Sequence, residues 1–262
     1  MEPMEQQLME QQVNNEATVS QQEEELKKYE KPIGEHILEL RKRLLYCILA
    51  VTILFFVIFG LFADSLMALV TAPVKERGIQ FIYVGLAEAL GAQMKVCLIC
   101  AVVVSAPILF WNIWSFVKPA LYENERRYVM TFTFISLLLF TLGVVFGYVV
   151  VFLSAITFFV YVGQDFATPM LSISDYVSFL LGFVIPFGCV FEMPIVSYIL
   201  SRMGIVDSAM LIAFRKYVVL VIFIVAAILT PPDVLSQVLM ALPMIILYEI
   251  GIVVVKITEK KA

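Results

Sequence analysis

Long apolar runs separated by short charged stretches make up most of the chain after residue 43. A helix that crosses the hydrocarbon core of a membrane needs about 20 mainly apolar residues. Four runs meet this length and predict membrane-spanning helices: Leu44–Ala63, Leu90–Trp111, Tyr128–Val151 and Tyr176–Leu200.

Two further apolar runs, Tyr217–Leu229 and Val234–Val255, are separated by a Pro-Pro-Asp turn that cannot continue a helix. They predict a fifth and a sixth span. The fifth run reaches only about 20 Å as a helix, and the sixth is similarly short if Glu249 marks its edge. Such a pair would thin the bilayer locally or be shielded by partner helices. Alternatively, the flanking Lys216 and Lys256 extend to the interface and the membrane barely responds.

Composition agrees with this pattern, because 61% of the residues are hydrophobic and the mean hydropathy is +0.95. The chain is therefore predicted to be an all-α, polytopic integral membrane protein. Residues 1–30 are rich in Gln and Glu and predict a disordered acidic extension, which leaves residues 31–262 as the six-span membrane domain. The extension has no apolar core of the kind a secretory signal needs, so the first span is expected to direct insertion.

The basic residues predict the orientation of the spans. All but three of the 18 Lys and Arg fall on one side of the predicted spans, and the exceptions are Lys75, Arg77 and Lys95. By the positive-inside rule, both termini are cytoplasmic. The opposite face then carries two long connections, at about 64–89 and 152–175, and the Pro-Pro-Asp turn.

Glu192 is the most informative single residue, because it lies ten positions before Arg202 inside the fourth run. This spacing puts a carboxyl group near the middle of the membrane, where a charge costs at least about 2.5 kcal/mol and usually marks a functional site. Pro186 and Pro194 flank it and predict a kinked or curved helix. One hypothesis is a proton-coupled small-solute transporter in which Glu192 titrates. A simpler interpretation is a protonated Glu192 that is hydrogen-bonded to a neighbouring helix.

Enzymatic chemistry has no visible motif in the sequence. There is no GxxxxGK[ST], HExxH or GxSxG pattern, so we predict a non-enzymatic protein without a cofactor or a metal site. Cys97 and Cys100 form a CxxC, but they lie within an apolar run and are interpreted as packing residues. Any energy source must be external, and the membrane potential is the natural candidate.

Acidic residues interrupt the basic cytoplasmic face at two places, Glu35 and Glu39 before the first span and Glu123 and Glu125 after the second. They could bind a cationic ligand, and arginine suits a carboxylate best because its planar guanidinium can bind two oxygens at once. Glu39 and Arg43 are also spaced as a helical salt bridge, which is the alternative explanation of Glu39.

Five separate motifs resemble those of the TatC family, the multi-spanning receptors of the twin-arginine protein translocase. They are HILELRKR at 36–43, FVKPAL at 116–121, ERR at 125–127, FEMP at 191–194 and TPPDVLSQ at 230–237. The resemblance covers about residues 33–256 in order. The chain departs from the family pattern at Ile37, where Leu is usual, and at Leu153, where Pro is common, which leaves the end of the third span open.

The resemblance implies a cupped six-helix fold with short fifth and sixth helices in the bacterial inner membrane. It also implies binding of twin-arginine signal peptides and assembly with single-span TatA and TatB, in several copies and without nucleic acid, to export folded proteins with the proton-motive force. The residues it implies for the signal peptide are Glu39, Glu125, Arg41, Phe116 and Pro119. Those it implies for partner docking and an outer-loop role are Glu192, Asp233, Gln237 and Pro73.

Three functions follow from these observations and remain open at the level of the sequence. The first is the receptor and scaffold that the resemblance implies. The second is the solute transporter, which depends on Glu192 alone. The third is a structural organiser of other membrane helices, in which the cytoplasmic acids have no role.

Overall fold

The computed structural model describes residues 33–83, 85–118, 129–163, 170–230 and 233–259. The acidic extension predicted at 1–30, Pro119 and Glu125 lie outside the described residues. The chain divides into two compact units after Tyr46, and the described part of the first unit, 33–46, is the beginning of the first helix.

The described residues are almost entirely helical. In chain order the elements are α1 (Ile33–Lys75), β1 (Gln80–Ile82), α2 (Glu88–Val117), α3 (Val129–Phe146), a π-helical segment (Gly147–Phe152), α4 (Leu153–Gly163), β2 (Met170–Ser172), α5 (Ile173–Val190), α6 (Met193–Arg202), α7 (Ser208–Leu229) and α8 (Val234–Glu259).

Six helical segments in the described residues are long and apolar enough to cross a membrane, which confirms the predicted number of spans. Single helices form spans one, two, five and six, namely α1, α2, α7 and α8. The third span is the continuous helical stretch Val129–Gly163, and the fourth is Ile173–Arg202.

The third span is longer than predicted. The connection expected at 152–175 contains α4, because the helix passes through a π-helical segment and continues to Gly163. At Leu153 the backbone N–H donates to the Tyr148 carbonyl oxygen and continues the helix, a bond that a proline at this position could not make. The connection expected at 64–89 is likewise shortened, since α1 runs to Lys75.

The fourth span is broken where the prolines predicted a kink. Helix α5 ends at Val190, two residues form a turn, and α6 begins at Met193 with Pro194 in its first turn. Proline suits that position, because the first N–H groups of a helix have no intrahelical partner. Glu192 is the residue immediately before α6.

The fourth span packs closely against the third through glycines. A Cβ atom added at Gly143 would lie 2.5 Å from the Phe187 carbonyl oxygen, and one at Gly188 would lie 2.7 Å from the Phe140 ring. Glycine at these positions lets the two backbones approach each other.

Helices α7 and α8 form an antiparallel hairpin. Both exceed the apolar runs that predicted them, with 22 and 26 residues, or about 33 and 39 Å. Arg215 and Glu249 form an ion pair across the hairpin, with Nη2 and Oε2 2.7 Å apart. The apolar part between this pair and the hairpin turn is as short as the sequence indicated.

The two strands form a small parallel sheet, in which Gln80 pairs with Met170 and Ile82 with Ser172. Next to it, the Tyr176 hydroxyl donates to the Val70 carbonyl oxygen at 2.8 Å, and the Tyr176 ring contacts Phe81 edge to face. These contacts join the end of α1 to the strands and to the start of α5.

Candidate functional site

Glu39 is held by a residue of its own helix. Arg43 donates to Glu39 Oε1 from Nη2 at 2.6 Å and from Nε at 3.1 Å. The salt bridge that the spacing indicated is therefore formed, with both side chains about a quarter exposed. Arg41 is exposed on the same helix. The pair keeps a carboxylate at the surface in a geometry that already binds a guanidinium.

Phe116 is half-buried in the last turn of α2. The other two residues expected around the signal peptide after this helix, Pro119 and Glu125, lie beyond the described part of the chain. Their predicted roles stay predictions.

Glu192 is buried, with 9% of its surface exposed, at the break in the fourth span. Its carboxyl group faces the Ser136 hydroxyl and the backbone at Phe140, both on α3. Its Oε1 atom has no hydrogen-bond partner within the described ranges. An unpaired buried carboxyl oxygen is costly, so this atom is a ready acceptor for a donor brought by another molecule.

Two residues that the sequence did not single out belong to the same site. Trp114 Nε1, from α2, donates to Ser136 Oγ at 3.0 Å, and both side chains are buried. The Ser136 hydroxyl, which accepts from Trp114 and lies next to the Glu192 carboxyl group, thus brings polar groups of three spans together. The available signal was a serine at a fully buried position of an apolar run, which needs a polar partner.

The turn of the α7–α8 hairpin holds a second group of polar atoms. Asp233 Oδ1 accepts from the Ser236 backbone N–H at 2.7 Å and so caps α8, while Gln237 donates to the Phe223 carbonyl oxygen at 3.1 Å. Asp233 Oδ2 and the Ser236 hydroxyl are buried without a hydrogen-bond partner in the described residues. Both residues therefore lie near the turn, and their role in partner docking stays a prediction.

Pro73 lies near the end of α1, three residues after Val70. The Val70 carbonyl oxygen is the one that accepts from Tyr176. The predicted outer-loop proline is thus part of a helix and next to the contact that joins α1 to α5.

Residues 35–243 match the family described as Sec-independent protein translocase protein (TatC). The chain belongs to the TatC family. Among its relatives, TatC of Carboxydothermus hydrogenoformans is 38% identical over 228 residues, which is 87% of this chain and 93% of the relative. TatC of Aquifex aeolicus is 37% identical over 88% of this chain and 97% of the relative, and TatCy of Bacillus subtilis is 35% identical over 87% and 90%.

The fold is shared as well. A crystal structure of the twin-arginine translocase receptor TatC matches with a TM-score of 0.80 and 37% identity, covering 86% of this chain and 99% of the other. A second crystal structure of that receptor, in DDM, gives a TM-score of 0.79. These matches confirm the resemblance seen in the sequence and the TatC-like fold. The chain is a multi-pass membrane component of the twin-arginine translocase.

Proposed function

We propose that this TatC-family chain is the receptor and scaffold subunit of its translocase and binds the twin-arginine signal peptides of folded cargo. The observation that carries the proposal is the match, over 86% of the chain, to a crystal structure described as the twin-arginine translocase receptor. The receptor role of that protein is extended here to a chain with the same fold and 37% identity.

Recognition would use carboxylates as acceptors for the arginine pair. Glu39 and Glu125 each receive one arginine, with Arg41, Phe116 and Pro119 shaping the surface. The Glu39–Arg43 pair supports this role, because Glu39 already holds a guanidinium at 2.6 Å. A signal-peptide arginine would replace Arg43 at the same carboxylate.

Assembly with TatA and TatB in several copies is the second part of the proposal. Their single spans would dock along the α7–α8 hairpin near Asp233 and Gln237, and Glu192 would receive a polar group of a partner or an inserted signal helix. The unpaired oxygens of Glu192 and Asp233 support these positions, because each is a buried acceptor without a donor in the described residues. The proton-motive force would drive export.

We also propose an orientation for the chain and the membrane that holds it. The basic residues favour an orientation with both termini in the cytoplasm, and membership of the TatC family suggests the bacterial inner membrane. Glu39 and Glu125 would then face the compartment in which cargo folds.

The test is co-purification of the full-length chain with a signal peptide that carries either Arg-Arg or Lys-Lys. We expect the arginine peptide to be retained at least about tenfold better, because lysine cannot bind a carboxylate through two nitrogens. Glu39→Ala and Glu125→Ala should each reduce retention of the arginine peptide, while Glu76→Ala, which changes an exposed acid in the turn after α1, serves as control. Equal recovery of both peptides, or full retention in the Glu39→Ala/Glu125→Ala double variant, would overturn the recognition mechanism.

A further inference from the structure

Trp114 and Ser136 make a hydrogen bond between two spans in a buried environment. The Trp114 indole exposes 5% of its surface and Ser136 none. Neither residue is among those that the TatC resemblance implied. Their bond lies next to the carboxyl group of Glu192, because Ser136 faces both.

The chemistry of the indole and the hydroxyl group fixes which of the two donates in this hydrogen bond. An indole nitrogen can only donate, so Ser136 Oγ is the acceptor of the Trp114 bond. The hydroxyl proton of Ser136 must then go to another acceptor. Thr133 and Thr141 on the same helix donate to the carbonyl oxygens of Val129 and Leu137, four residues earlier. Ser136 makes no such backbone bond in the described residues, so its proton is available to Glu192.

The surroundings hold this arrangement in place. The Trp114 ring packs against Phe132, with centroids 5.9 Å apart, in a cluster with Val129, Ile195 and Ile199. The last two belong to α6, the helix that begins directly after Glu192. Trp114, to which Ser136 is hydrogen-bonded, and the start of α6 therefore belong to one packed cluster.

We propose that Trp114 and Ser136 are positioning residues that orient the Glu192 carboxyl group. The Ser136 hydroxyl, itself aligned by the indole N–H, holds one side of the carboxyl group, and Oε1 stays unpaired for a donor from a bound helix. This inference rests on the proposed docking role of Glu192. Within that role, it explains why one oxygen of a buried carboxyl group remains unused.

The first test is spectroscopic and uses the purified full-length chain. The carboxyl band of Glu192 is assigned by infrared difference spectroscopy against Glu192→Gln. Ser136→Ala and Trp114→Phe should both shift this band. The first variant removes the hydroxyl next to Glu192. The second removes the indole N–H that aligns this hydroxyl, and its Phe ring keeps the aromatic packing. Thr133→Val, which removes a buried hydroxyl one turn away, and Trp111→Phe, which changes the other, exposed tryptophan, should leave it in place. An unshifted band in Ser136→Ala would overturn the proposal.

The second test measures export of a twin-arginine cargo in cells. Loss of one hydrogen bond predicts a decrease of about two- to tenfold for Ser136→Ala and a smaller one for Trp114→Phe. The double variant should be no worse than Ser136→Ala, and neither change should lower export further in a Glu192→Gln background. Additive losses in that background would overturn the positioning role.

The two tests separate this inference from the function it rests on. The infrared shift needs neither cargo nor partner subunits. If Glu192→Gln exports normally while the band shifts in Ser136→Ala, the docking role of Glu192 fails and the orientation of its carboxyl group stands.

Discussion

Arg43 contacts a single oxygen of Glu39 through two nitrogens, Nη2 at 2.6 Å and Nε at 3.1 Å. The two residues lie one turn apart on α1 and are both partly exposed. An exposed pair of this kind contributes at most about 1 kcal/mol, so an arriving guanidinium can displace Arg43. The intramolecular pair and the proposed ligand thus compete for the same atom.

Arg43→Gln should strengthen binding of a twin-arginine peptide, because it removes the competitor for Glu39. The expected gain in affinity is about two- to fivefold, the range that an exposed ion pair allows. Peptide titration of the solubilised chain measures it. Lys42→Gln is the matched control, since it removes the same charge from the exposed neighbouring residue. Weaker binding in Arg43→Gln alone would contradict the competition.

Gly143→Ala should destabilise the protein, because the new Cβ would lie 2.5 Å from the Phe187 carbonyl oxygen and 2.9 Å from the Phe191 Cβ atom. Overpacking of this kind costs about 1–3 kcal/mol or more. Thermal denaturation in detergent should show a lower Tm. Gly60→Ala is the control, because a Cβ there has no atom within 4 Å. An unchanged Tm in Gly143→Ala would show that the third and fourth spans can separate without cost.

Asp233→Ala should loosen the first turn of α8, because Asp233 Oδ1 accepts from the Ser236 N–H at 2.7 Å. Loss of such a cap costs about 1 kcal/mol. Hydrogen exchange of the amides in that turn should become faster. Asp233→Asn keeps a capping oxygen and should protect the turn almost as well as Asp does. If Asn restores protection and not export, the carboxylate has a role beyond the cap.

Tyr176→Phe should weaken the link between α5 and α1, because it deletes the 2.8 Å hydrogen bond to the Val70 carbonyl oxygen and keeps the ring contacts. A loss of about 1 kcal/mol is expected. Faster hydrogen exchange in β1 (Gln80–Ile82) would report it. Tyr161→Phe is the control, since that side chain is 68% exposed. Unchanged exchange would show that ring packing alone holds the strand.

The spans could be predicted from the sequence because length and hydropathy dominate in a membrane. The helix ends could not. Asp64 is a polar residue that predicts the start of a loop, yet α1 continues through it and ends only at Lys75. The effect of Leu153 on the helix follows from its bond to the Tyr148 carbonyl oxygen, which the sequence does not show.

The candidate site could be predicted where one residue differs in polarity from the residues around it. Glu192 is a carboxylate in an apolar run, and its flanking prolines indicated the break beside it. Trp114 and Ser136 are ordinary residues for a membrane helix, and their pairing depends on how two spans face each other. The sequence indicates that a serine in an apolar run needs a polar partner, but only the packing shows which residue that partner is.

The π-helical segment at Gly147–Phe152 affects how the third span can lose a residue during divergence. Four residues of an α-helix turn by about 400°, so positions spaced by four drift around the axis by about 40° at each step. The turn of the π-helical segment is wider and offsets this drift. Gly143, Gly147, Val151 and Ala155 are spaced by four, and all of them are buried. Deleting one residue from the segment would restore ordinary helix without rotating α4 relative to α3. Single-residue deletions during divergence are therefore expected to be tolerated here and harmful elsewhere in the third span.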